Sequence, residues 1–369
     1  MANKYLYLDD ESFSTLKALT SAVSGRKHEV EIDIVHPASF HDNIHLLLDQ
    51  IKRYNGLILD WRLDIFEEGQ TNVKFDFRAA ALAQEIRTRA AERTVVAIPI
   101  VLWSTQTRLA GSYTGDHTSH DLFDRCYDKD EISENAQQVR LELISLVNGY
   151  KTIQSFLRSN PSLEKLLGIN ASLLDVRIQK RFQGDPVPAY EYARFVLREL
   201  IERPGPLISE PVLAARLGID IVKSEYWKNL LAKIEKYKYE GPFSDAWPRW
   251  WAYGIEREWW FSLVKGQHPL SVLTAEERVG ILKRTLRLSK LVFAIPIKQN
   301  YHSRYYTICE HCQSPLDPLD GVVISEKEPE PWQERRYISL DVALERKSEK
   351  YIPHPTEIER IKGLRRGDN

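Results

Sequence analysis

Short apolar runs alternate with amphipathic stretches along about the first 130 residues. Five runs have the length and composition of strands: "KYLYLDD", "EVEIDIVHP", "GLILDW", "AIPIVLWS" and "RCYDKD". The stretches between and after them place apolar residues at helical spacing: "STLKALTSAV", "IHLLLDQIKRY", "FRAAALAQEIRTRAAE" and "ENAQQVRLELISLVNGYKTIQSFL". Strand–helix alternation of this kind predicts an α/β fold, a doubly wound five-stranded parallel sheet with helices on both faces.

The remainder of the chain has mainly helical patterns, as in "AYEYARFVLRELIER", "SEPVLAARLGI" and "SEYWKNLLAKIEKY". Asn160 and Pro161 should end the long preceding helix, and "GDPVP" at 184–188 is a second break. We therefore predict a first domain over residues 1–158 and a helix-rich second domain over 159–369. A small irregular subdomain from about residue 295 is a further option.

Length and cysteine content narrow the class of protein. A chain of 369 residues is long enough for two or three domains. We find no apolar stretch long enough to cross a bilayer and no signal-peptide pattern, so we expect a cytoplasmic protein without a membrane partner. Three cysteines are too few for a disulfide scaffold.

Charge is distributed unevenly along the chain. Residues 1–150 hold 16 Lys and Arg against 23 Asp and Glu, a net charge of −7, and the remainder holds 35 against 29, a net charge of +6. The acidic part suits a cation or a basic partner, and the basic part permits a nucleic acid partner. A solvated surface explains the same balance.

Polar residues follow the predicted strands at their carboxyl ends. Asp9 and Asp10 follow the first run, Asp60 the third, Ser104 the fourth, and Lys129 the fifth. In open α/β sheets these ends meet near the point where the strand order reverses. Three converging carboxylates are costly without a cation, and oxygen ligands favour Mg²⁺. The sequence therefore predicts a magnesium site.

This order of residues resembles the receiver domain of two-component response regulators over about the first 150 residues. That family has an acidic pair after strand one, a phosphoacceptor Asp after strand three, a Ser or Thr after strand four and a Lys after strand five. Ser104 matches better than Thr105 because it lies at the family's usual spacing from a proline that opens strand four, here Pro99.

The resemblance implies a role for each residue. Asp60 would accept a phosphoryl group, Lys129 would bridge Asp60 and the phosphoryl oxygens, and Ser104 would bind the phosphoryl group. Asp10, Asp60, Asp9 through water and the main-chain carbonyl of Arg62 would hold Mg²⁺. A histidine kinase or phosphotransfer protein would be the donor, and a downstream protein would be the target. We expect no enzymatic activity beyond self-dephosphorylation.

The sequence departs from the family pattern after the acceptor and after the lysine. The segment "WRLDIFEEGQTNVKFDF" is longer than usual, and Trp61 places a bulky ring beside Asp60. Asp130 replaces the usual proline after Lys129, and Tyr127 is our assignment for the aromatic switch position. These departures affect the usual output surface and leave the phosphorylation site complete.

Three functional interpretations remain. The first is a phosphorylation-controlled switch, with or without homodimerisation; the second is a pseudo-receiver that serves as an interaction scaffold. The third is a DNA-binding regulator, because "PLISEPVLAARLGID" resembles part of a helix-turn-helix motif, with Ser209 and Gly218 at the helix ends. Arg216 and Lys223 are a weak footprint for nucleic acid, so a helical bundle is the simpler interpretation.

Two further motifs lie in the second part of the chain. Tryptophans crowd "DAWPRWWAYGIEREWWFSLV", where Trp247, Trp251 and Trp259 can share one helical face with Ile255, as a core or an interface. Cys309 and Cys312 have the spacing of half a zinc site, and a histidine would have to complete it. A free dithiol or two packed cysteines are the alternatives.

Overall fold

The chain forms two compact units, each built from three stretches of sequence. The computed structural model describes residues 2–37, 39–63, 77–105, 107, 109, 120–159, 162–182, 187–348 and 350–366. The first unit comprises Met1–Leu167, Phe182–Leu197 and Gly241–Trp247; the second comprises Gly168–Arg181, Arg198–Glu240 and Pro248–Asn369. Asn160, Pro161 and most of "GDPVP", which we predicted as breaks, lie outside the described residues.

A five-stranded parallel sheet forms the centre of the first unit. Its strands are β1 (Asn3–Leu8), β2 (Val30–Val35), β3 (Gly56–Leu59), β4 (Ile100–Ser104) and β5 (Arg125–Asp128). Their order across the sheet is β2-β1-β3-β4-β5. The predicted doubly wound parallel sheet is therefore confirmed, and the strand order reverses between β1 and β3, where ligands bind in such folds.

The helices of the described chain, in sequence order, are α1 (Phe13–Ser24), α2 (Phe40–Gln50), α3 (Ala79–Ala91), α4 (Lys129–Ile132), α5 (Ala136–Ser159), α6 (Leu163–Leu167), α7 (Val176–Lys180), α8 (Ala189–Arg194), α9 (Glu210–Leu217), α10 (Trp227–Lys233), α11 (Phe261–Leu263), α12 (Ala275–Leu286), α13 (Leu340–Glu345) and α14 (Ile358–Arg366). Two π-helical segments follow Arg194 and Tyr253, at Phe195–Ile201 and Gly254–Trp260. Single 3₁₀ turns occupy Ile51–Arg53, His120–Leu122, Ala171–Leu173, Glu235–Tyr237, Leu270–Val272, Pro318–Asp320 and Pro355–Glu357. Among the described residues, no helix is long and apolar enough to cross a membrane.

Burial explains why these segments form strands rather than helices. All residues of β3 and β4 are buried, as expected for central parallel strands that helices cover on both faces. In α1, by contrast, Leu16 and Val23 are buried on one face, and Ser12 caps the helix by accepting a hydrogen bond from the Thr15 N–H. The apolar positions of the runs and of the helical pattern are therefore the positions that are buried in the fold.

Parallel pairing aligns the carboxyl ends of the strands. Leu8 of β1 pairs with Leu59 of β3, and Ser104 of β4 pairs with Asp128 of β5. Asp9, Asp60 and Lys129, the residues that follow these positions, therefore lie at one edge of the sheet. This register supplies the convergence that the sequence predicts.

The second unit is mainly helical, as predicted, and contains short antiparallel strand pairs. These are β6 (Leu207–Ile208) with β7 (Trp250–Trp251), β8 (Thr307–Ile308) with β9 (Pro315–Leu316), and β10 (Gly321–Val323) with β11 (Tyr337–Ser339). Gly218 caps helix α9 just after Leu217, and its φ of 73° is the left-handed conformation that glycine adopts most readily. The buried Arg278 of α12 donates to the carbonyls of Arg216 and Tyr305, so it satisfies backbone acceptors inside the unit.

The tryptophan-rich segment is not one helix. The prediction that Trp247, Trp251 and Trp259 share a helical face with Ile255 is wrong, because Trp251 lies in β7 and pairs with Leu207. The aromatic, β-favouring Trp-Trp pair finds a partner strand far away in sequence, and this pairing outweighs the local helical spacing. Most of the burial that we expected is present, since Trp247, Trp251 and Ile255 are buried.

Candidate acidic site at the carboxyl edge of the sheet

Three carboxylates converge at the carboxyl ends of β1 and β3. Asp9, Asp10 and Asp60 each offer an oxygen, and these oxygens all lie within 4.8 Å of one another. Asp9 and Asp60 are fully buried and Asp10 is half-buried. Within the part of the chain that the structure describes, no other set of acidic, histidine or cysteine side chains has this geometry.

Lys129 lies among these carboxylates. Its Nζ is 2.6 Å from Asp9 Oδ2, 2.8 Å from Glu11 Oε1 and 3.2 Å from Asp60 Oδ1. Burial alone would lower the pKa of Lys129, but the charges of Asp60 and Asp9 outweigh it and raise the pKa above its usual value. Lys129 is therefore a fixed cation at neutral pH.

The carboxylate of Asp9 accepts hydrogen bonds from two donors besides Lys129. The Tyr7 hydroxyl donates to Asp9 Oδ2, and the Glu11 N–H donates to Asp9 Oδ1 over 3.0 Å. Burial, and then the Asp9 charge, raise the pKa of Tyr7 well above its usual value, so the phenol stays protonated and donates. With its oxygens engaged by the protein, Asp9 suits an indirect contact to a cation better than a direct one.

Asp60 begins the segment that leaves β3. The Arg62 N–H donates to Asp60 Oδ2 over 3.2 Å, and Arg62 makes an isolated antiparallel bridge with Arg78. Trp61 is buried in the apolar core of the unit and meets Phe123 edge to face. The chain from 64 to 76, most of the long insertion that we noted, lies outside the described residues.

Ser104 ends β4 on the same edge. Its side chain is fully buried, and among the described residues its Oγ has no hydrogen-bond partner. A buried hydroxyl normally finds a partner, and one without any is expected where a ligand group supplies it. Thr105, the alternative hydroxyl, is half-buried. Ser104 therefore remains the better candidate for binding a phosphoryl group.

The donor set fits a hard divalent cation. Three carboxylates and one ammonium group give the cluster a formal charge of −2, before the additional charge of Glu11. Carboxylate oxygens are the ligands that Mg²⁺ takes, usually one or two of them together with water and phosphate oxygens. Asp10 and Asp60 could ligate directly and Asp9 through water. The predicted carbonyl of Arg62 lies two residues beyond Asp60.

Tyr7 and Glu11 were not identified from the sequence as residues of this site. Tyr7 lies two residues before Asp9, and the period of two along a strand places both side chains on one side of β1. Glu11 reaches Lys129, which is distant in sequence, so only the tertiary structure reveals that pair. The period-two pattern could have identified Tyr7; no sequence signal identifies the partner of Glu11.

The aromatic position on β5 is also engaged. Tyr127 is half-buried, and its hydroxyl donates to Glu142 Oε2 of α5 over 2.5 Å. Burial, followed by the Glu142 charge, raises the pKa of Tyr127 well above its usual value. Asp130 lies in α4, where its N–H donates to the side chain of the capping residue Asp128.

The basic residues of the helix-turn-helix-like segment are paired. Arg216 is 1% exposed and donates to Glu256 over 2.5 Å and to Glu334 over 2.6 Å. Lys223 forms an ion pair of 2.9 Å with Asp220. A guanidinium buried between two carboxylates is not presented to phosphates or base edges, so the nucleic acid interpretation gains no support from this pair.

The two cysteines of the Cys-x-x-Cys turn are free thiols. Cys309 is buried and Cys312 is exposed. The Sγ of Cys309 accepts hydrogen bonds from the N–H and the hydroxyl of Ser339, at 3.3 and 3.4 Å. Among the described residues these thiols belong to no cluster of three or more potential metal ligands.

Comparison with known proteins adds structural similarity and no sequence similarity. No protein-family profile matches the sequence, and no curated protein matches it. Among solved structures, a response regulator receiver domain protein from Clostridium thermocellum aligns with a TM-score of 0.24 and 11% identity, over 36% of this chain and 90% of that chain. A TM-score and an identity this low establish neither family nor function.

Proposed function

We propose that this protein is a response regulator in which Asp60 accepts a phosphoryl group at a Mg²⁺ site. The observation that carries the proposal is the convergence of Asp9, Asp10 and Asp60 within 4.8 Å, with Lys129 Nζ 3.2 Å from Asp60. An acidic cluster alone is common on proteins. A buried cluster at the strand-order reversal of a parallel sheet, with a lysine and a buried serine hydroxyl beside it, is a combination suited to phosphoryl transfer.

Each side chain has a step to perform. An oxygen of Asp60 attacks phosphorus, a new P–O bond forms, and the bond from phosphorus to the donor breaks and leaves the electron pair on the donor. Lys129 neutralises charge on the phosphoryl oxygens, and the Ser104 hydroxyl donates a hydrogen bond to one of them. Mg²⁺, when bound, would supply the remaining neutralisation. In this proposal the protein is a phosphoryl acceptor with at most self-dephosphorylation as its own activity.

The donor in this proposal is a histidine kinase or a phosphotransfer protein, and the output is a change in what the C-terminal region binds. Turning a mostly inactive switch mostly active requires about 5 kcal/mol of differential stabilisation. A doubly negative phosphoryl group paired with Lys129 can supply part of this. We propose a downstream protein as the target, since Arg216 and Lys223, the two basic residues of the helix-turn-helix-like segment, are engaged by carboxylates of the protein itself.

A second candidate function is a pseudo-receiver that serves as an interaction scaffold. The observation that favours it is the complete burial of Asp60, with the buried ring of Trp61 next to it in sequence. A phosphoacceptor has to admit a donor, whereas a scaffold needs only the folded surface. The two candidates therefore differ in whether Asp60 reacts.

Intact-mass measurement after incubation with acetyl phosphate and Mg²⁺ tests the proposal. We expect a single phosphoryl adduct on the wild-type protein, none on Asp60→Asn and none when Mg²⁺ is chelated. Asp49→Asn, which removes an exposed carboxyl from α2, is the matched control and should be labelled like the wild type.

Two further variants should slow the phosphoryl labelling to different extents. Lys129→Gln should slow labelling by roughly a hundredfold, as expected for the loss of a charge that stabilises the transition state. Ser104→Ala should slow it less. A wild-type protein that takes no adduct from acetyl phosphate and does not bind beryllofluoride is a scaffold, and the first proposal then fails.

A further inference from the structure

A cavity of about 760 Å³ opens in the first unit at the amino ends of β3 and β4. Its walls come from the end of α3, the lead-in to β4, the last turns of α5 and residues 187–189. Because the strands are parallel, this edge is opposite to the one that carries the acidic cluster. The volume is within the range of sites that hold drug-sized ligands.

Four cationic side chains line this cavity, and among its described lining residues there is no Asp or Glu. They are Lys52, Arg89, Arg93 and Arg158. Arg89 is paired with Glu85 over 2.7 Å, and Arg158 Nε donates to the carbonyl of Gln154.

Lys52 and Arg93 are exposed and have no ion pair among the described residues. The charged side chains that line this cavity are therefore positive, whereas the cluster at the opposite edge of the sheet is acidic.

The rest of the lining is mostly apolar. Leu48, Val95, Val96, Leu157 and Pro188 contribute carbon surface. The side chains of the wall are also tied together, since the amide of Gln154 donates to the carbonyl of Ala97 over 2.6 Å and so holds α5 against the start of β4. The wall of the cavity is therefore formed before a ligand binds. Little entropy is then lost in ordering its side chains around the apolar part of a ligand.

Arg93 lies just after the end of α3. Its φ is 62°, the left-handed conformation in which many helices end. Its N–H donates to the carbonyl of Ala90, and the Thr94 N–H donates to the carbonyl of Arg89. The end of the helix therefore fixes the backbone of Arg93 at the wall of the cavity.

We propose that this cavity binds a small organic anion with an apolar body, of the chemical class of a medium-chain carboxylate. The apolar wall takes the body, and Lys52 and Arg93 take the charged head. A neutral molecule of the same shape would leave the cations without a partner, and an inorganic anion would leave the apolar wall unused. The site is independent of the acidic cluster and of the function proposed for it.

Displacement of the fluorescent anion anilinonaphthalene sulfonate from the full-length chain tests this site. We expect decanoate to displace the probe and 1-decanol to do so at least about tenfold less well, since a charge-assisted hydrogen bond accounts for that difference. Lys52→Gln with Arg93→Gln should weaken decanoate binding by at least about tenfold. Val96→Glu, at a position 58% exposed and therefore tolerant, should weaken it as well.

The matched control is Lys17→Gln with Lys27→Gln, which removes the same charge from exposed positions of the first unit that do not line the cavity. It should bind decanoate like the wild type, as should Asp60→Asn. The proposal is overturned if 1-decanol competes as well as decanoate, if the control weakens binding as much as the cavity variant, or if Val96→Glu has no effect. Unchanged thermal unfolding of each variant excludes a folding defect as the cause.

Discussion

Lys129 Nζ lies 2.6 Å from Asp9 Oδ2 in an ion pair that is almost completely buried. Taking both charges out of water is costly, and their attraction offsets that cost only while both are present. The pair joins the end of β1 to the end of β5, across strands that are not neighbours in the sheet. It therefore acts on the stability of the unit as well as on the chemistry of the site.

Lys129→Met should destabilise the protein by about 3–5 kcal/mol in the absence of Mg²⁺, because it leaves Asp9 and Asp60 without their cation. Urea unfolding measures the change. Lys4→Met is the control: Lys4 pairs with Glu31 on the surface over 2.8 Å, and its loss should cost about 1 kcal/mol or less. Equal effects of the two substitutions would contradict the buried-pair argument.

Magnesium should stabilise the wild-type protein, since an ion that binds only the folded state shifts unfolding by mass action. At a hundredfold excess over its dissociation constant the gain is about 2.7 kcal/mol. Asp10→Asn and Asp60→Asn should each remove most of this gain, and Asp49→Asn should keep it. Thermal unfolding with and without Mg²⁺ measures the effect; a gain that survives both site substitutions would place the ion elsewhere.

Two glycines inside helices should respond oppositely to alanine. A Cβ on Gly149 would lie 2.2 Å from Phe243 Cε1, so Gly149→Ala forces a shift and should destabilise by about 1–3 kcal/mol. Gly363 has no atom within 4 Å of the added Cβ, so Gly363→Ala should stabilise by about 0.5–1 kcal/mol through helix propensity. Chemical denaturation of both variants is the measurement, and the same sign for both would refute the packing argument.

Stability should fall as pH rises above about 10. Burial is the main cause that raises the pKa of Tyr5, Tyr7 and Tyr150 well above 10 in the folded protein. In the unfolded protein these phenols ionise near pH 10, so the unfolded state loses protons first as pH rises. Lys129 acts in the same direction: its contribution is complete below its usual pKa of 10.5 and is lost as pH rises through the raised folded value. Tyrosinate absorbance should therefore show these phenols ionising only when the protein unfolds.

The Tyr5→Phe variant isolates one contribution to this loss of stability at alkaline pH. Tyr5→Phe removes a phenol whose hydroxyl donates to the carbonyl of Leu143 over 2.7 Å. It should be less stable at neutral pH by about 1 kcal/mol, and the deficit should shrink as pH rises above 10. A deficit that stays constant with pH would show that Tyr5 ionises freely in the folded protein.

The thiol of Cys309 should ionise at a lower pH than an ordinary thiol. A hydrogen bond from Cys312, and then hydrogen bonds from Ser339, lower the pKa of Cys309 although burial opposes this. Because the folded pKa lies below the unfolded one, the stabilisation is present above the unfolded value and is lost as pH falls through the lowered folded value. Cys312→Ala should raise the pKa, as followed by thiolate absorbance; Cys126→Ala is the control. An unchanged titration midpoint would show that Cys312 is not the cause.

The sheet could be predicted from sequence because its signal is local. Buried parallel strands appear as short apolar runs, and their carboxyl ends are marked by the polar residue that follows, as with Asp60 and Ser104. Parallel topology then brings these ends together without further information. The strands, their helices and the convergence of the acidic residues follow from this argument.

The remaining features depend on contacts between residues distant in sequence. Trp251 pairs with Leu207, and Glu11 meets Lys129, and no periodicity reports either partner. Arg216 has the type and spacing of a surface-reading residue, yet two carboxylates from other segments bury it. Local pattern therefore indicates which residues are polar, and only tertiary structure decides whether they are available to a ligand.

The composition of the first unit from three separate stretches has a practical result. The short stretch Gly241–Trp247 returns to the unit long after the sheet is complete, and Phe243 packs there against Gly149 and Tyr150 of α5. A protein truncated after residue 158 would keep the five strands of the parallel sheet and the acidic cluster but would lose the contact of Phe243 with α5. Such a fragment should aggregate and be poorly soluble. The parallel sheet therefore cannot be transferred to another protein as one contiguous segment.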